Sequence, residues 1–139
     1  MIRSTGLVVA AALLASSSVM ADDLTGADRF ICAATTAVIC YDDGSCDTGS
    51  PMELNLPQFV EVDLGKKLLS TTKASGLNRS SPIASIKREA DMIILQGYEN
   101  GRAFSYVISE KTGEASAAIA ADGRNVSAFG ACTPQATAD

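Results

Sequence analysis

The sequence predicts an all-β domain: an antiparallel meander of about seven or eight short strands that forms a small barrel or a strongly curled sheet. Three observations predict this fold. Short runs of apolar and β-branched residues recur along the chain, and turn sequences such as Asn100-Gly101 separate them. Four cysteines lie beyond the apolar N-terminus and indicate that disulfides staple the sheet.

The N-terminus has the features of a signal peptide. Arg3 provides a short positive region, an apolar run covers residues 7–15, and small residues precede a cleavage point after Ala21. The run is shorter than the roughly 20 apolar residues that cross a bilayer. We therefore expect residues 1–21 to be a cleaved signal peptide, with an apolar core helix as the alternative interpretation.

The remainder, residues 22–139, has the length of one domain, and we expect a single β domain with disordered ends over 22–28 and 134–139. Its predicted location is periplasmic or secreted. The whole chain has a net charge of −5 and no basic cluster, which argues against a nucleic-acid partner. We also expect no stable membrane anchor.

The composition excludes many enzyme chemistries. The chain contains no His, which removes Ser-His-Asp and Cys-His nucleophile systems and the commonest ligand of catalytic zinc. No Cys-x-x-Cys spacing occurs either. We identify no catalytic residue, no metal site and no cofactor, and lean towards a protein that is not an enzyme.

The first candidate strand, "FICAATTAVICY", carries two of the cysteines. On a strand, Cys32 and Cys40 would be about 26 Å apart at roughly 3.3 Å per residue, too far to form a disulfide. A short Ala-rich helix over residues 28–38 is the alternative, and it would readmit the other pairings.

The turn sequence "YDDGS" favours one pairing of the cysteines. A three-residue loop with Gly44 in the left-handed conformation sets Cys40 opposite Cys46, near disulfide reach. Cys32 and Cys132 then join the two ends of the domain. In an even-stranded meander the first and last strands are antiparallel, so these two cysteines would be adjacent.

The rest of the chain divides into strand-like segments joined by turns. In "FVEVDL" apolar and acidic residues alternate, as on a half-buried strand. Asn100-Gly101 and Asp122-Gly123 are strong hairpin signals. The predicted strands after the cysteine loop are 59–64, 67–72, 83–88, 92–98, 103–109, 114–120 and 125–132.

Four segments, "FVEVDL", "ILQGYENGR", "YVISEKTGEAS" and "FGACTP", resemble a group of small exported bacterial proteins with no settled biochemical role. The resemblance covers most of residues 30–134. It implies a compact all-β exported domain and supplies no active-site residues.

Two short motifs suggest a penicillin-recognising enzyme. Ser70 and Lys73 match S-x-x-K, and residues 111–113 match K-T-G. S-x-x-K functions on a helix, where residues three apart share a face, but "LLSTTKAS" has the composition of a strand followed by a loop. The third motif, S-D-N, is absent. We therefore reject this interpretation.

Aromatic residues cluster in sequence around the Asn100-Gly101 hairpin. They could form the wall of a ligand pocket at the mouth of the barrel, or only the main hydrophobic cluster. The candidate ligand contacts are Tyr98, Phe104, Tyr106 and Phe129.

The leading functional hypothesis is a non-enzymatic exported binding domain. Its partner would be a small apolar ligand, an envelope component or a periplasmic protein, and a hydrolase inhibitor with an inserting loop is one version. The alternatives are a small periplasmic hydrolase with an unidentified Ser or carboxylate site, and a structural envelope protein.

Overall fold

The computed structural model describes residues 22–136, and the predicted signal peptide lies outside this range. The described residues form ten β-strands and one 3₁₀ turn, Lys73–Ser75, with no α-helix. None of these residues belongs to a helix long and apolar enough to cross a membrane. The strands are β1 Arg29–Tyr41, β2 Cys46–Gly49, β3 Phe59–Asp63, β4 Leu68–Thr71, β5 Ser80–Pro82, β6 Ser85–Glu89, β7 Met92–Glu99, β8 Arg102–Ser109, β9 Glu114–Ala121 and β10 Arg124–Pro134.

The first segment is a strand, so the helical alternative for residues 28–38 is wrong. β1 is 13 residues long and alternates between buried and less buried positions on both sides of a bulge between Ala34 and Thr36. Three strands pair with it, β10 along one edge and β2 and β3 along the other. These ladders satisfy its backbone groups and explain why an Ala-rich segment is extended here.

All the strands belong to one antiparallel sheet, in the order β5-β4-β3-β1-β10-β9-β8-β7-β6, with β2 paired to β1. The predicted all-β class and strongly curled sheet are confirmed. The meander runs almost in sequence order around the curl, but its two edges are β5 and β6. The first and last strands are joined in the middle of the sheet.

The strand count exceeds the expected seven or eight because two very short strands join the sheet. β2 has four residues and continues the cysteine hairpin. β5 has three residues and pairs with β4. It lies in the Ser-rich segment 73–82, for which the sequence predicted no strand. Neither has an apolar alternation, and their pairing depends on the neighbouring strand rather than on their own sequence.

The predicted hairpin turns have the backbone geometry that their residues favour. Gly44 has φ 85°, and the Tyr41 amide donates to the Ser45 carbonyl at 2.9 Å. Asn100 and Gly101 have φ values of 49° and 73°, as a type I′ turn requires.

Both predicted disulfides are present. Cys40 bonds Cys46 within the first hairpin, across a sequence separation of 6. Cys32 bonds Cys132 at directly opposed positions of β1 and β10, across a separation of 100. The Cys32–Cys132 bond is therefore a covalent link between the two ends of the domain, within the β1–β10 ladder.

The hydrophobic core fills one end of the curled sheet. Burial is complete for the largest of its side chains, Phe30, Leu24, Ile93, Leu95 and Ile108. Smaller contributors come from β3, β4 and the cysteines, and the full cluster is Leu24, Phe30, Cys32, Val62, Leu64, Leu69, Ile83, Ile93, Leu95, Ile108 and Cys132.

The segment before β1 contributes to this core, although we expected disorder over 22–28. Leu24 is fully buried, and its amide donates to the Glu110 carbonyl at 2.7 Å. The Leu64 amide donates to the Asp28 carbonyl at 2.8 Å. A single leucine among acidic and small residues gives too little periodicity to be predicted as core from sequence.

The long-range disulfide should stabilise the fold more than the hairpin disulfide does. In the chain-entropy model a closed loop of 100 residues stabilises by about 4.7 kcal/mol, and one of six residues by about 2 kcal/mol. We expect Cys32→Ala/Cys132→Ala to lower the free energy of unfolding by roughly 2–5 kcal/mol, and Cys40→Ala/Cys46→Ala by less. Urea denaturation of both variants measures the difference. Equal losses would contradict the closing role of the longer link.

Candidate functional site

A half-open cavity of about 310 Å³ occupies the end of the curled sheet away from the core. Its walls come from strands on opposite sides of the sheet order, β4 and β5 on one side and β8, β9 and β10 on the other. The loop between β2 and β3 adds residues 54–58 to the wall. The sheet therefore curls around the cavity, and the cavity lies on its concave face.

The floor of the cavity is the upper layer of the hydrophobic core. Cys32 and Leu69 belong to the core and line the cavity as well. Val60 and Ala115 pack against the core from the cavity side. The apolar floor is consequently held by the same contacts that stabilise the fold.

Two aromatic rings form one wall. Phe104 and Tyr106 lie on the inward face of β8, with their ring centroids 5.9 Å apart and their planes at 81°. This edge-to-face arrangement is favourable for aromatic pairs.

Gly97 makes room for this wall. A Cβ atom at residue 97 would lie 2.4 Å from the Phe104 ring and 2.6 Å from the Pro82 carbonyl oxygen. Only a glycine allows the ring and the β5 backbone to approach β7 this closely. The sequence "LQGYE" thus sets the position of Phe104 in the cavity.

Tyr106 is a titratable group in the cavity wall whose pKa is altered by its surroundings. Burial against apolar atoms raises the pKa of its phenol above the ordinary value, because the charged phenolate is disfavoured there. Its hydroxyl lies at a cavity wall, where a polar atom of a bound molecule could meet it.

Charged residues gather at the mouth, at the ends of β7, β8 and β10. Glu99 and Arg102 flank the Asn100-Gly101 turn as a directly opposed pair, and Arg124 follows the Asp122-Gly123 turn. The Glu99 carboxylate accepts a hydrogen bond of 2.6 Å from the Ser81 hydroxyl. This bond connects the mouth of β7 to the edge strand β5.

The structure separates the four aromatic residues proposed from sequence. Phe104 and Tyr106 line the cavity, as described above. Tyr98 lies opposite Ala103 on the outer face of the sheet and is 73% exposed. Phe129 lies at the rim of the cavity opposite Thr36, with 52% of its surface exposed.

The residues that resembled penicillin-recognising motifs do not form a site. Ser70 is on β4 and Lys73 begins the following 3₁₀ turn, so they are on a strand and a loop as expected. Lys111 forms a salt bridge with Asp91 at 3.1 Å in the adjoining turns.

The acidic side chains of "FVEVDL" and of the cysteine turn have structural partners. Glu61 accepts a hydrogen bond from the Gln135 side chain at 2.9 Å, and Asp63 forms a salt bridge with Arg29. In the cysteine turn, hydrogen bonds from the hydroxyl and amide of Ser45 hold the pKa of Asp43 below its ordinary value. Among residues 22–136, no group of three acidic or sulfur ligands is close enough to hold a metal ion.

The arginines at the mouth were not predicted from the sequence. Arg102 and Arg124 each follow directly on a turn glycine, in "ENGR" and "ADGR". Two turns at the same end of adjacent hairpins place these residues at one rim. The repeated Gly-Arg was the available signal, but assigning its face requires the register of the strands.

Comparison with known proteins adds no family or relative: no protein-family description matches the chain, and no curated protein matches it significantly. The fold and the cavity define its class. It is a disulfide-linked, strongly curled antiparallel β-sheet domain with an apolar cavity on its concave face.

Gly97→Ala should destabilise the domain by about 1–3 kcal/mol, because the added methyl group forces Phe104 or β5 to move. Gly65→Ala is the matched control: its added Cβ would make one ordinary contact of 3.5 Å with Asp63, so a change below about 1 kcal/mol is expected. Urea denaturation compares the two variants. If both behaved alike, Gly97 would not be required for the packing of the wall.

Tyr106 should make stability depend on pH in the alkaline range. Since its pKa is raised by folding, the stabilisation is complete below the unfolded pKa of about 10 and is lost as pH rises through the folded pKa. The unfolding free energy of the wild type should therefore fall more between about pH 8 and pH 11 than that of Tyr106→Phe. Parallel pH dependences in the two proteins would contradict the buried phenol.

Proposed function

We propose that this protein is a non-enzymatic binding domain that holds a small apolar ligand in the cavity of its curled sheet. The proposal depends on one observation: a largely apolar cavity of about 310 Å³ with an aromatic wall opens at one end of the fold. Ligand sites in proteins are concave, mostly apolar and at least about this large.

The cavity results from small side chains rather than from loose packing. The inward positions of β9 include Ala115, Ala117 and Ala121, and β10 contributes Ala128. Ile39, Ile119 and Val126 also line the cavity, but the alanines leave part of the concave face unfilled, whereas larger side chains fill the core end. An apolar molecule would replace the missing side chains and gain about 25 cal/mol for each Å² of apolar surface removed from water.

Export is part of the proposal. The two disulfides are typical of proteins in oxidising compartments, and they agree with the expected signal peptide. We propose that the domain acts in the periplasm or outside the cell, where apolar small molecules need a carrier or a receptor in water.

Filling the cavity should abolish ligand binding while leaving the fold intact. Ala117 points into the cavity, and its neighbour Ala118 is exposed on the outer face of the same strand, so Ala117→Phe and Ala118→Phe are a matched pair. With decanol as the probe at about ten times its Kd, the wild type and Ala118→Phe should be stabilised by about 1.4 kcal/mol. The melting temperature measures this, and Ala117→Phe should show no shift.

A melting temperature that does not respond to decanol or to other single-chain apolar probes would overturn the proposal. Equal responses in the two phenylalanine variants would also contradict it, because binding would then lie outside the cavity.

A further inference from the structure

Three arginines distinguish the mouth of the cavity from the rest of the molecule. Residues 22–136 contain five arginines, and Arg29 and Arg88 form salt bridges with acidic side chains. The other three, Arg79, Arg102 and Arg124, line the cavity. None of the salt bridges among the described residues involves them.

The charge of the cavity lining is opposite in sign to the net charge of the whole chain. The chain has a net charge of −5, yet the cavity lining contains three arginines and one acidic residue, Glu99. That carboxylate accepts the Ser81 hydroxyl. Asp122 and Asp42 are on nearby turns but are not among the lining residues.

The arginines also have a defined position relative to the apolar walls. Arg102 and Phe104 are two positions apart on the inward face of β8. The arginine at the start of this strand is therefore next to the aromatic wall. Arg124 precedes the inward Val126 on β10 in the same way. Each strand therefore presents a cation at the mouth and an apolar side chain below it.

We infer that the ligand is a single-chain amphiphile with an anionic head group, its chain in the cavity and its head on Arg102 and Arg124. This inference rests on the proposed function. Guanidinium groups bind carboxylates and phosphates through paired hydrogen bonds, which suits such a head. Arg79, in the segment leading into β5, supplies a third cation to the cavity lining.

The size of the cavity favours one alkyl chain over two. About 310 Å³ is at the small end of the range for ligand sites, which extends to about 1,000 Å³. The inferred occupant is therefore a single-chain anionic amphiphile taken up from water, rather than a two-chain lipid held in a bilayer.

Calorimetric titration with decanoate and decanol tests this inference, because the two probes share a chain and differ in charge. The wild type should bind decanoate about tenfold more tightly than decanol. Arg102→Gln and Arg124→Gln should each weaken decanoate binding by about tenfold and leave decanol binding unchanged. Lys66→Gln is the charge-matched control, because Lys66 lies in the turn between β3 and β4, outside the cavity lining.

The outcomes separate this inference from the proposed function. Equal affinity for both probes, with no effect of the arginine variants, would overturn the anionic head while leaving the apolar site in place. Failure of both probes would overturn the proposed function itself. Loss of decanoate binding in Lys66→Gln as well would show that only net charge matters, and would also refute the assigned arginines.

Discussion

The antiparallel pairing of β1 with β10 is the constraint on which the rest of the structure depends. It is the longest ladder among the described residues, from the Phe30–Pro134 pair to the Tyr41–Arg124 pair. It joins the two ends of the domain, and the Cys32–Cys132 disulfide fixes two of its directly opposed residues. It is the strand ladder through which the β1–β5 half and the β6–β10 half of the described residues join into one sheet.

The position of this ladder in the sheet determines which strands are its edges. Since the first and last strands meet in the middle of the sheet, the two edges fall at β5 and β6, which follow each other in the chain. There, the Ile83 amide donates to the Lys67 carbonyl and the Ala84 amide to the Gln96 carbonyl. These bonds hold the connecting residues to both halves, so that the edges stay close and the sheet remains curled around its concave face.

The sequence predicted those parts of the fold that depend on local chemistry. The hairpin at Asn100-Gly101 and the disulfide of Cys40 with Cys46 follow from turn geometry, which residues a few positions apart determine. β5 and the burial of Leu24 could not be predicted in this way. Each depends on a partner far away in the chain, and neither segment has an alternation of its own.

The candidate site was predicted only in part for the same reason. Phe104 and Tyr106 were identified by residue type, and two positions apart on a strand they share a face. Tyr98 and Phe129 were proposed with them, but β7 and β10 place Tyr98 on the outer face and leave Phe129 exposed at the rim. The face of a residue follows from register, and a shift of one position exchanges the two faces.

The two ends of the concave face illustrate how one sheet serves stability and binding separately. At the core end, Ile93 and Ile108, which are directly opposed on the neighbouring strands β7 and β8, are fully buried and exclude water. At the other end, alanines of β9 leave space between the apolar walls, and β8 places Arg102 at the solvated mouth. Arginine is tolerated at this position because the mouth remains solvated, whereas the same side chain among the core residues would require a buried partner. The open cavity therefore coincides with the alanines of β9 and β10, and the cations lie at its mouth, where their desolvation cost is low.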